Sequence, residues 1–473
     1  MTGLPSGARA TLKLSSAEKR FLLISPAFPP SSYVGALRWQ KMLPFLDRAG
    51  WYADVATIAP DALDVPDTSR LREIPGSARV FSIPQRDPAF VRALRGVKSA
   101  SRRIGSAMRP AAGKSMAADE PPDGMTRRLE ECLAITRPTL RQRFMMRLEQ
   151  SQADLWAEDV EQLVRTQSLT GVRAVVSSGP PHYAHIAGRR VAAMLSVPLI
   201  LDLRDPWAHL LEHPASVGCA QYIQWLRTEE RRAFAAARWI VANTTVSTER
   251  YREAHPDLSL RLETVWNGAD SDPIPPVSRP NTPFIMAYAG SMYHGRTPVG
   301  VFAALSRVVK RLGLSPGDIR FELMGVVGHV DGIPTMDLAR HEGVDQYVVL
   351  RPNGKRDEAR RFLASAHMLV SLPWPGGEQV PAKIYEYADF PAELLVLAEP
   401  DTAPAFRLAG TSALVVASED GPGIELAIEE AFARHRSGEQ AMPANAGGLL
   451  SREREANKFA ALLDRTVDAG AHA

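Results

Sequence analysis

The residues best suited to chemistry lie in one stretch near the C-terminus, where Lys383 stands between Glu378 and Glu386. Pro381 predicts a helix start, because the first helical turn has no use for the N–H that proline lacks. Lys383 then falls at the positive end of the helix dipole, where acidic residues are favoured. A bound phosphate would reverse that preference. An exposed helix start with ordinary surface charges is the alternative, and this stretch alone leaves both interpretations open.

A second loop of similar chemistry follows the apolar strand predicted at residues 284–289. It holds Gly290, Ser291 and Arg296 and leads into a predicted helix. Backbone amides beside a glycine, with an arginine close by, suit a diphosphate.

The N-terminal half opens with the same order of strand, small-residue loop and helix. A buried strand is predicted at residues 21–25, and Gly35 and Arg38 open the helix that follows. Ligands of parallel sheets bind at the carboxyl ends of strands, so this pair is a candidate phosphate or sugar contact. A turn glycine with a surface arginine is the alternative.

Four more polar residues follow two consecutive predicted strands of the same half. His182 and His185 come after a strand at residues 173–177, and Arg204 and Asp205 follow a strand at residues 198–203. Both strands deliver these side chains to one edge of the sheet, which makes them candidates for acid–base chemistry. For a single histidine, a satisfied core position is the alternative, and Asp205 before a proline also suits a turn.

Length and composition bound the class of protein. A chain of 473 residues is too long for one hydrophobic core, and its 45% hydrophobic and 23% charged residues are typical of a globular protein. A net charge of +3 gives no support for a nucleic-acid partner. Cys132 and Cys219 match no metal or redox spacing. Since no signal peptide or membrane span is evident, we expect a cytoplasmic protein.

The pattern of strands and helices predicts two doubly wound α/β domains that face each other across a cleft. We expect a disordered lead at residues 1–20, a first domain at 21–272, a Pro-rich linker at 273–283, a second domain at 284–440, and a C-terminal helix and tail at 441–473. Asp270 and Asp272 form a carboxylate pair beside this linker, which we interpret as a turn and not as a metal site.

An insertion at residues 91–150 interrupts the first domain and is basic. It carries 13 Lys and Arg residues against 6 Asp and Glu residues. Contact with anionic lipid head groups is one interpretation, which would place the protein at the inner face of the membrane; a solvated insertion is the other.

No dinucleotide fingerprint, P-loop, nucleophile elbow or zinc-protease motif occurs in the sequence. Dehydrogenase, P-loop kinase, α/β-hydrolase and metalloprotease functions therefore lose their main support. Two domains that each offer a phosphate-binding loop indicate instead a sugar nucleotide bound between them.

Five motifs resemble, in their order and spacing, the GT-B glycosyltransferases of family 4. They are Ser25-Pro-Ala-Phe-Pro-Pro30, Ser177-Ser-Gly-Pro-Pro181, Asp202-Leu-Arg-Asp-Pro-Trp207, Asn267-Gly268 and Val380-Pro-Ala-Lys-Ile-Tyr-Glu-Tyr387. The resemblance implies a retaining, metal-independent enzyme without a cofactor. Its substrates would be a nucleotide-diphosphate sugar and a glycan or lipid-linked acceptor, in the synthesis of polysaccharides or glycoconjugates.

The resemblance also implies roles for individual residues. Glu386 would bind the ribose hydroxyls and Glu378 the donor sugar, while Arg296 and Lys383 would neutralise the diphosphate. Gly35 matches the glycine-rich donor loop of the first domain.

His182, His185 and Asp205 would lie on the acceptor side. Two other functions stay open at this point. One is a sugar-nucleotide epimerase of the same fold, which would need no acceptor; the other is a catalytically silent sugar-nucleotide-binding scaffold protein.

Overall fold

The computed structural model describes residues 19–63, 65–91, 134–167, 169, 171–208, 217–292, 296–372 and 376–468. Most of the predicted lead and residues 92–133 of the predicted basic insertion lie outside them. The first strand begins at Lys19, so the last residues assigned to the lead belong to the sheet.

In the described N-terminal half, seven parallel strands form one sheet in the order β3-β2-β1-β4-β5-β6-β7. Buried, nearly continuous apolar runs are what a parallel sheet covered on both faces requires. The strands are β1 (Lys19–Ile24), β2 (Trp51–Ile58), β3 (Arg79–Ile83), β4 (Val172–Gly179), β5 (Leu199–Leu203), β6 (Trp239–Ala242) and β7 (Leu262–Thr264). The helices are α1 (Leu37–Arg48), α2 (Leu140–Gln167), α3 (Tyr183–Leu195), α4 (Ala220–Ala236) and α5 (Thr245–Ala254).

The described C-terminal half repeats this architecture with six parallel strands in the order β12-β9-β8-β13-β14-β15. They are β8 (Phe284–Ala289), β9 (Ile319–Met324), β12 (Val348–Arg351), β13 (Met368–Ser371), β14 (Glu393–Leu397) and β15 (Leu414–Val416), and a hairpin of β10 (His329–Val330) and β11 (Ile333–Pro334) stands apart. The helices are α6 (Val299–Leu312), α7 (Thr335–His341), α8 (Arg356–Ala364), α9 (Ala382–Tyr387), α10 (Ala403–Leu408), α11 (Gly421–Arg436) and α12 (Arg452–Asp468).

Both sheets reverse their strand order beside their first strand, between β1 and β4 and between β8 and β13. Such a reversal opens a crevice at the carboxyl ends of the strands, which is where open α/β sheets bind their ligands. The predicted class of two doubly wound α/β domains is confirmed by these sheet orders.

Alternate residues of β1 supply the cores on the two faces of the N-terminal sheet. Leu22 belongs to a buried cluster with Trp156 of α2, whereas Leu23 belongs to a cluster with Trp39 of α1 and Phe459 of α12. Successive side chains of a strand point to opposite faces, so one strand serves both clusters.

The last helix, α12, packs its apolar face on the first domain, and its Glu455 pairs with Arg407 of the second domain at 3.3 Å. The ring of Phe459 lies edge-on to Trp39, with centroids 5.2 Å apart, and Phe459 is fully buried. The chain therefore crosses between the domains twice, and the two crossings meet where Gly268 lies against Arg452: an added Cβ at Gly268 would lie 2.4 Å from the Arg452 Cα.

No helix in the described part of the chain is both long and apolar enough to span a bilayer.

Phe459→Ala is expected to lower the free energy of unfolding by about 3–5 kcal/mol, because it opens a cavity in a shared core. Chemical denaturation followed by tryptophan fluorescence measures the change. Asn457→Ala, at an exposed position of the same helix, is the control. Equal stability of the two variants would show that α12 does not hold the first domain together.

Candidate functional site

A cleft of about 820 Å³ lies between the carboxyl edges of the two sheets. Segments after β1, β2, β5 and β6 line it from the first domain, and α8 and α9 line it from the second. The candidate residues that line the cleft are Gly35, Arg38, Arg204, Asp205, Lys383 and Glu386.

Lys383 is one of the basic groups of the second domain that line this cleft, together with Arg356 and Arg360. Its Nζ donates to the Tyr288 hydroxyl (2.9 Å) and the Ala289 carbonyl (3.2 Å), and both acceptors are neutral. No carboxylate of the described residues lies within ion-pair distance of Nζ. Burial, and then the charge of Arg296, lower the pKa of Lys383 to about 7, while Glu386 opposes the shift. An ammonium in this state is stabilised by an added anion.

The loop after β8 has a glycine where the Lys383 ammonium lies against its backbone. Gly290 has a φ of +147°, and a Cβ there would lie 2.3 Å from the Lys383 Nζ. The carbonyl of Ser291 accepts from the Tyr288 hydroxyl at 2.8 Å, which fixes the start of the loop. Gly290, Ser291 and Arg296 thus lie near Lys383, but they are not among the residues that line the cleft.

Glu386 is held by an arginine that sequence reasoning missed. Arg360 Nη1 lies 3.4 Å from the Glu386 Oε1, and Nη2 donates to the carbonyls of Asp272 (3.2 Å) and Pro273 (3.0 Å). The Glu386 side chain keeps 36% of its surface exposed. Its carboxylate therefore retains acceptor capacity toward the cleft.

Arg38 has structural partners in place of the predicted ligand contact. Its Nε and Nη2 donate to the Asp202 carboxylate (3.1 and 2.9 Å), and Nη2 also donates to the Val265 carbonyl at 2.9 Å. Its Nη1 donates to the Trp266 carbonyl (3.2 Å) and to Asn267 Oδ1 (3.0 Å). Every N–H group of the guanidinium is occupied, so none is left for a phosphate.

Asp202 is the fully buried acid at the centre of this arrangement. Besides Arg38, it accepts from the Trp39 indole N–H at 2.9 Å and from the Ser178 hydroxyl at 2.7 Å. It thereby joins β5 to α1 and β4. Asp202 lies in a motif that the sequence singles out, but its burial is visible only in the structure.

Gly35 makes room for an arginine. A Cβ at Gly35 would lie 2.3 Å from the Arg204 Nη1, and the Arg204 guanidinium donates to the carbonyls of Gly35 and Pro180. Both Arg204 and the adjacent Asp205 line the cleft, but Arg204 is buried and Asp205 is exposed. Of these two residues, Asp205 is therefore the one whose side chain a ligand can reach.

His182 and His185 pack against Trp207 below the cleft and do not line it. Their ring centroids lie 5.2 and 5.1 Å from that of Trp207. Burial, and then the charge of Arg204, lower the pKa of His185 to about 3, and its Nδ1 lies 2.9 Å from the Ser177 hydroxyl. Burial, followed by His185, holds the pKa of His182 well below its ordinary value. Both rings are neutral at pH 7.

Glu378 lies apart from the other predicted donor residues. It is 2% exposed and forms an ion pair with Arg250 of α5, in the first domain. Its side chain is not among those that line the cleft.

The carboxylates of Asp270 and Asp272 are occupied by cations of the protein. Asp270 pairs with Arg452, and Asp272 pairs with Lys41 (3.3 Å) and Arg356 (2.9 Å). Within the described ranges, no three His, Cys, Asp or Glu side chains are grouped so as to hold a metal ion.

The two sheet orders and the cleft between them define the GT-B fold, which solved glycosyltransferase structures share. A sucrose-phosphate synthase from Thermosynechococcus elongatus has a TM-score of 0.57 at 12% identity, over 95% of this chain and 100% of that chain. An α,α-trehalose-phosphate synthase (UDP-forming) from Burkholderia xenovorans, in complex with glucose-6-phosphate, has a TM-score of 0.56 at 14% identity, over 94% and 100%.

The Anabaena protein HepE, in complex with UDP-glucose, has a TM-score of 0.54 at 13% identity, over 94% of this chain and 99% of that chain. At these identities the likeness establishes the fold alone. No protein-family model and no curated protein sequence matches the chain.

Arg38→Ala is expected to lower the free energy of unfolding by about 3–5 kcal/mol, because it leaves the buried Asp202 without its countercharge. Arg48→Ala, in the same helix, removes an arginine whose pair with Glu453 is more than half exposed on both sides, and should cost less than about 1 kcal/mol. Denaturant titration compares the two. Similar small losses in both variants would contradict the structural role of Arg38.

Proposed function

We propose that this protein is a glycosyltransferase that moves a sugar from a nucleotide-diphosphate donor to a glycan or lipid-linked acceptor. The carrying observation is that Lys383, whose polar partners are neutral, lies close to Arg296 where the C-terminal sheet reverses its strand order. Two cations beside a glycine loop suit the two charges of a diphosphate.

The site residues act on different parts of the donor or face the acceptor. Lys383 and Arg296 neutralise the diphosphate as it leaves, which makes a metal ion unnecessary, and the backbone at Gly290 and Ser291 approaches the phosphates. Glu386 accepts hydrogen bonds from the ribose hydroxyls with the carboxylate that Arg360 orients. The carboxylate of Asp205 faces the acceptor from the first domain.

In the reaction, the bond between the anomeric carbon and the diphosphate oxygen breaks, and a bond from that carbon to an acceptor hydroxyl oxygen forms. The hydroxyl proton passes to solvent, and nucleoside diphosphate is released. The resemblance of the motifs to family 4 supports retention of the anomeric configuration and transfer of a hexose.

The bound UDP-glucose of HepE supports a nucleotide-sugar donor for the shared fold. For a lipid-linked acceptor in polysaccharide or glycoconjugate synthesis, the basic insertion would supply the contact with anionic membrane.

The test is release of nucleoside diphosphate from a panel of sugar nucleotides, with and without glycan and lipid-linked acceptors. Glu386→Ala and Arg296→Ala should each weaken donor binding roughly tenfold to a hundredfold, because each removes hydrogen bonds that involve a charged group. Calorimetric titration with UDP-glucose and the other donors gives the dissociation constants.

Glu429→Ala and Arg311→Ala are the matched controls, since these residues form a surface pair in the same domain. Unchanged turnover in both site variants would rule out the proposed site. Interconversion of the donor without an acceptor would identify an epimerase, and tight donor binding without turnover would identify a scaffold protein.

The affinity for donor should fall as pH rises above 7. Lys383 has a pKa of about 7 in the free protein, and a bound diphosphate raises that pKa, so binding takes up a proton at higher pH. Below pH 7 the ammonium is already formed and the affinity is at its maximum. One linked proton gives at most about a tenfold loss per pH unit until the pKa of the bound state is reached.

Titrations with UDP-glucose between pH 6 and 9 measure this dependence. Lys383→Arg should flatten it, because a guanidinium stays charged over the whole range. The same slope in Lys383→Met as in the wild type would assign the titration to another group.

A further inference from the structure

The loop at residues 376–380, between β13 and α9, contacts the first domain directly. The Thr244 hydroxyl donates to the Glu378 carbonyl at 2.9 Å, and Asn243 Nδ2 donates to the Gln379 Oε1 at 2.9 Å. Asn243 and Thr244 immediately follow β6. The carboxyl edge of the first sheet therefore holds a loop of the second domain.

An ion pair reinforces these hydrogen bonds. Arg250, one helical turn into α5, pairs with the carboxylate of Glu378, whose side chain is only 3% exposed. A buried carboxylate is costly unless a cation compensates it. The Arg250 side chain is 49% exposed, so it reaches Glu378 from the surface of the first domain.

The loop's backbone depends on two glycines, and its other end carries the donor residues. Gly376 and Gly377 have φ values of +112° and +67°, and a Cβ at Gly377 would lie 2.3 Å from the Thr402 Cγ2. Only Pro381 separates the loop from α9, which holds Lys383 and Glu386. A displacement of the loop is therefore transmitted to both side chains.

We propose that Glu378 is a positioning residue. Its pair with Arg250 fastens the 376–380 loop to the first domain and thereby holds the side chains of Lys383 and Glu386 in the positions that bind the donor. The effect on donor binding rests on the proposed function, whereas the fastening of the loop to the first domain does not. The first domain completes a nucleotide site whose direct contacts belong to the second. Opening of the cleft separates Arg250 from Glu378 and loosens the donor site.

Amide hydrogen exchange of residues 376–380 in the ligand-free protein tests the fastening. Arg250→Ala should accelerate exchange in this loop roughly tenfold, the effect of losing a hydrogen-bonded charge. Arg252→Ala is the control, because Arg252 lies on the same helix and pairs at the surface with Glu249, its one ion-pair partner among the described residues. Equal exchange in the wild type, Arg250→Ala and Arg252→Ala would overturn the proposal.

A double-mutant cycle on UDP-glucose binding then separates positioning from direct contact. If Glu378 acts through Arg250, Arg250→Ala and Glu378→Ala each weaken binding roughly tenfold, and the double variant is no weaker. The charge-swapped pair, Arg250→Glu with Glu378→Arg, should recover part of the loss. A large loss in Glu378→Ala alone, with additive effects, would overturn positioning and show that Glu378 contacts the sugar.

The two proposals fail in different ways. If the wild type binds no sugar nucleotide of the panel, the proposed function is rejected, and the exchange experiment still decides whether Arg250 fastens the loop. If the wild type binds but Arg250→Ala binds equally well, the positioning role is rejected and the donor site stands.

Discussion

The buried ion pair between Asp202 and Arg38 is the constraint on which the cleft depends. A carboxylate with no exposed surface must be compensated inside the fold, and Arg38, Trp39 and Ser178 together provide that compensation. Because these donors come from α1 and β4, the pair fixes the floor of the cleft where the strand order reverses. The remaining Arg38 hydrogen bonds go to the carbonyls of Val265 and Trp266 and to Asn267 Oδ1, at the start of the crossing to the second domain. One interaction thus sets both the floor of the site and the direction in which the chain leaves it.

The second domain uses the opposite electrostatic arrangement. Lys383 is buried against neutral oxygens and near another cation, which lowers its pKa, whereas Arg38 is buried with its acid. A cation that the fold leaves uncompensated is costly, and a ligand anion removes that cost. This difference explains why two arginine- or lysine-bearing loops that look alike in sequence have different roles: one holds the architecture and the other is available to bind.

The sequence predicts the elements well, because the apolar runs of parallel strands and the glycines between strand and helix are local signals. It also predicts that Gly290, Ser291, Arg296 and Lys383 lie near one another, because they follow the first and fourth strands, in chain order, of one sheet. It does not predict the partners of Arg38, which lie 164 and 227–229 residues away in the chain. Nor does it predict that Glu378 meets Arg250, or that α12 returns to the first sheet. Choices among distant partners are made by tertiary packing, on which a local motif carries no information.

Two of the contacts that join the C-terminal part of the chain to the first domain differ in kind, and this difference bears on how the cleft can work. The packing of Phe459 on Trp39 buries large apolar groups and is not expected to open under native conditions. The contacts of residues 376–380 with Thr244, Asn243 and the half-exposed Arg250 are polar and lie at the cleft itself. The groups of a polar contact can hydrogen-bond to water when the contact parts, whereas an apolar core exposed to water gains no such compensation. We therefore expect movement between the domains to begin at the 376–380 loop, while α12 stays fixed on the first domain. Opening of the cleft would then first displace α9, the helix that carries Lys383 and Glu386.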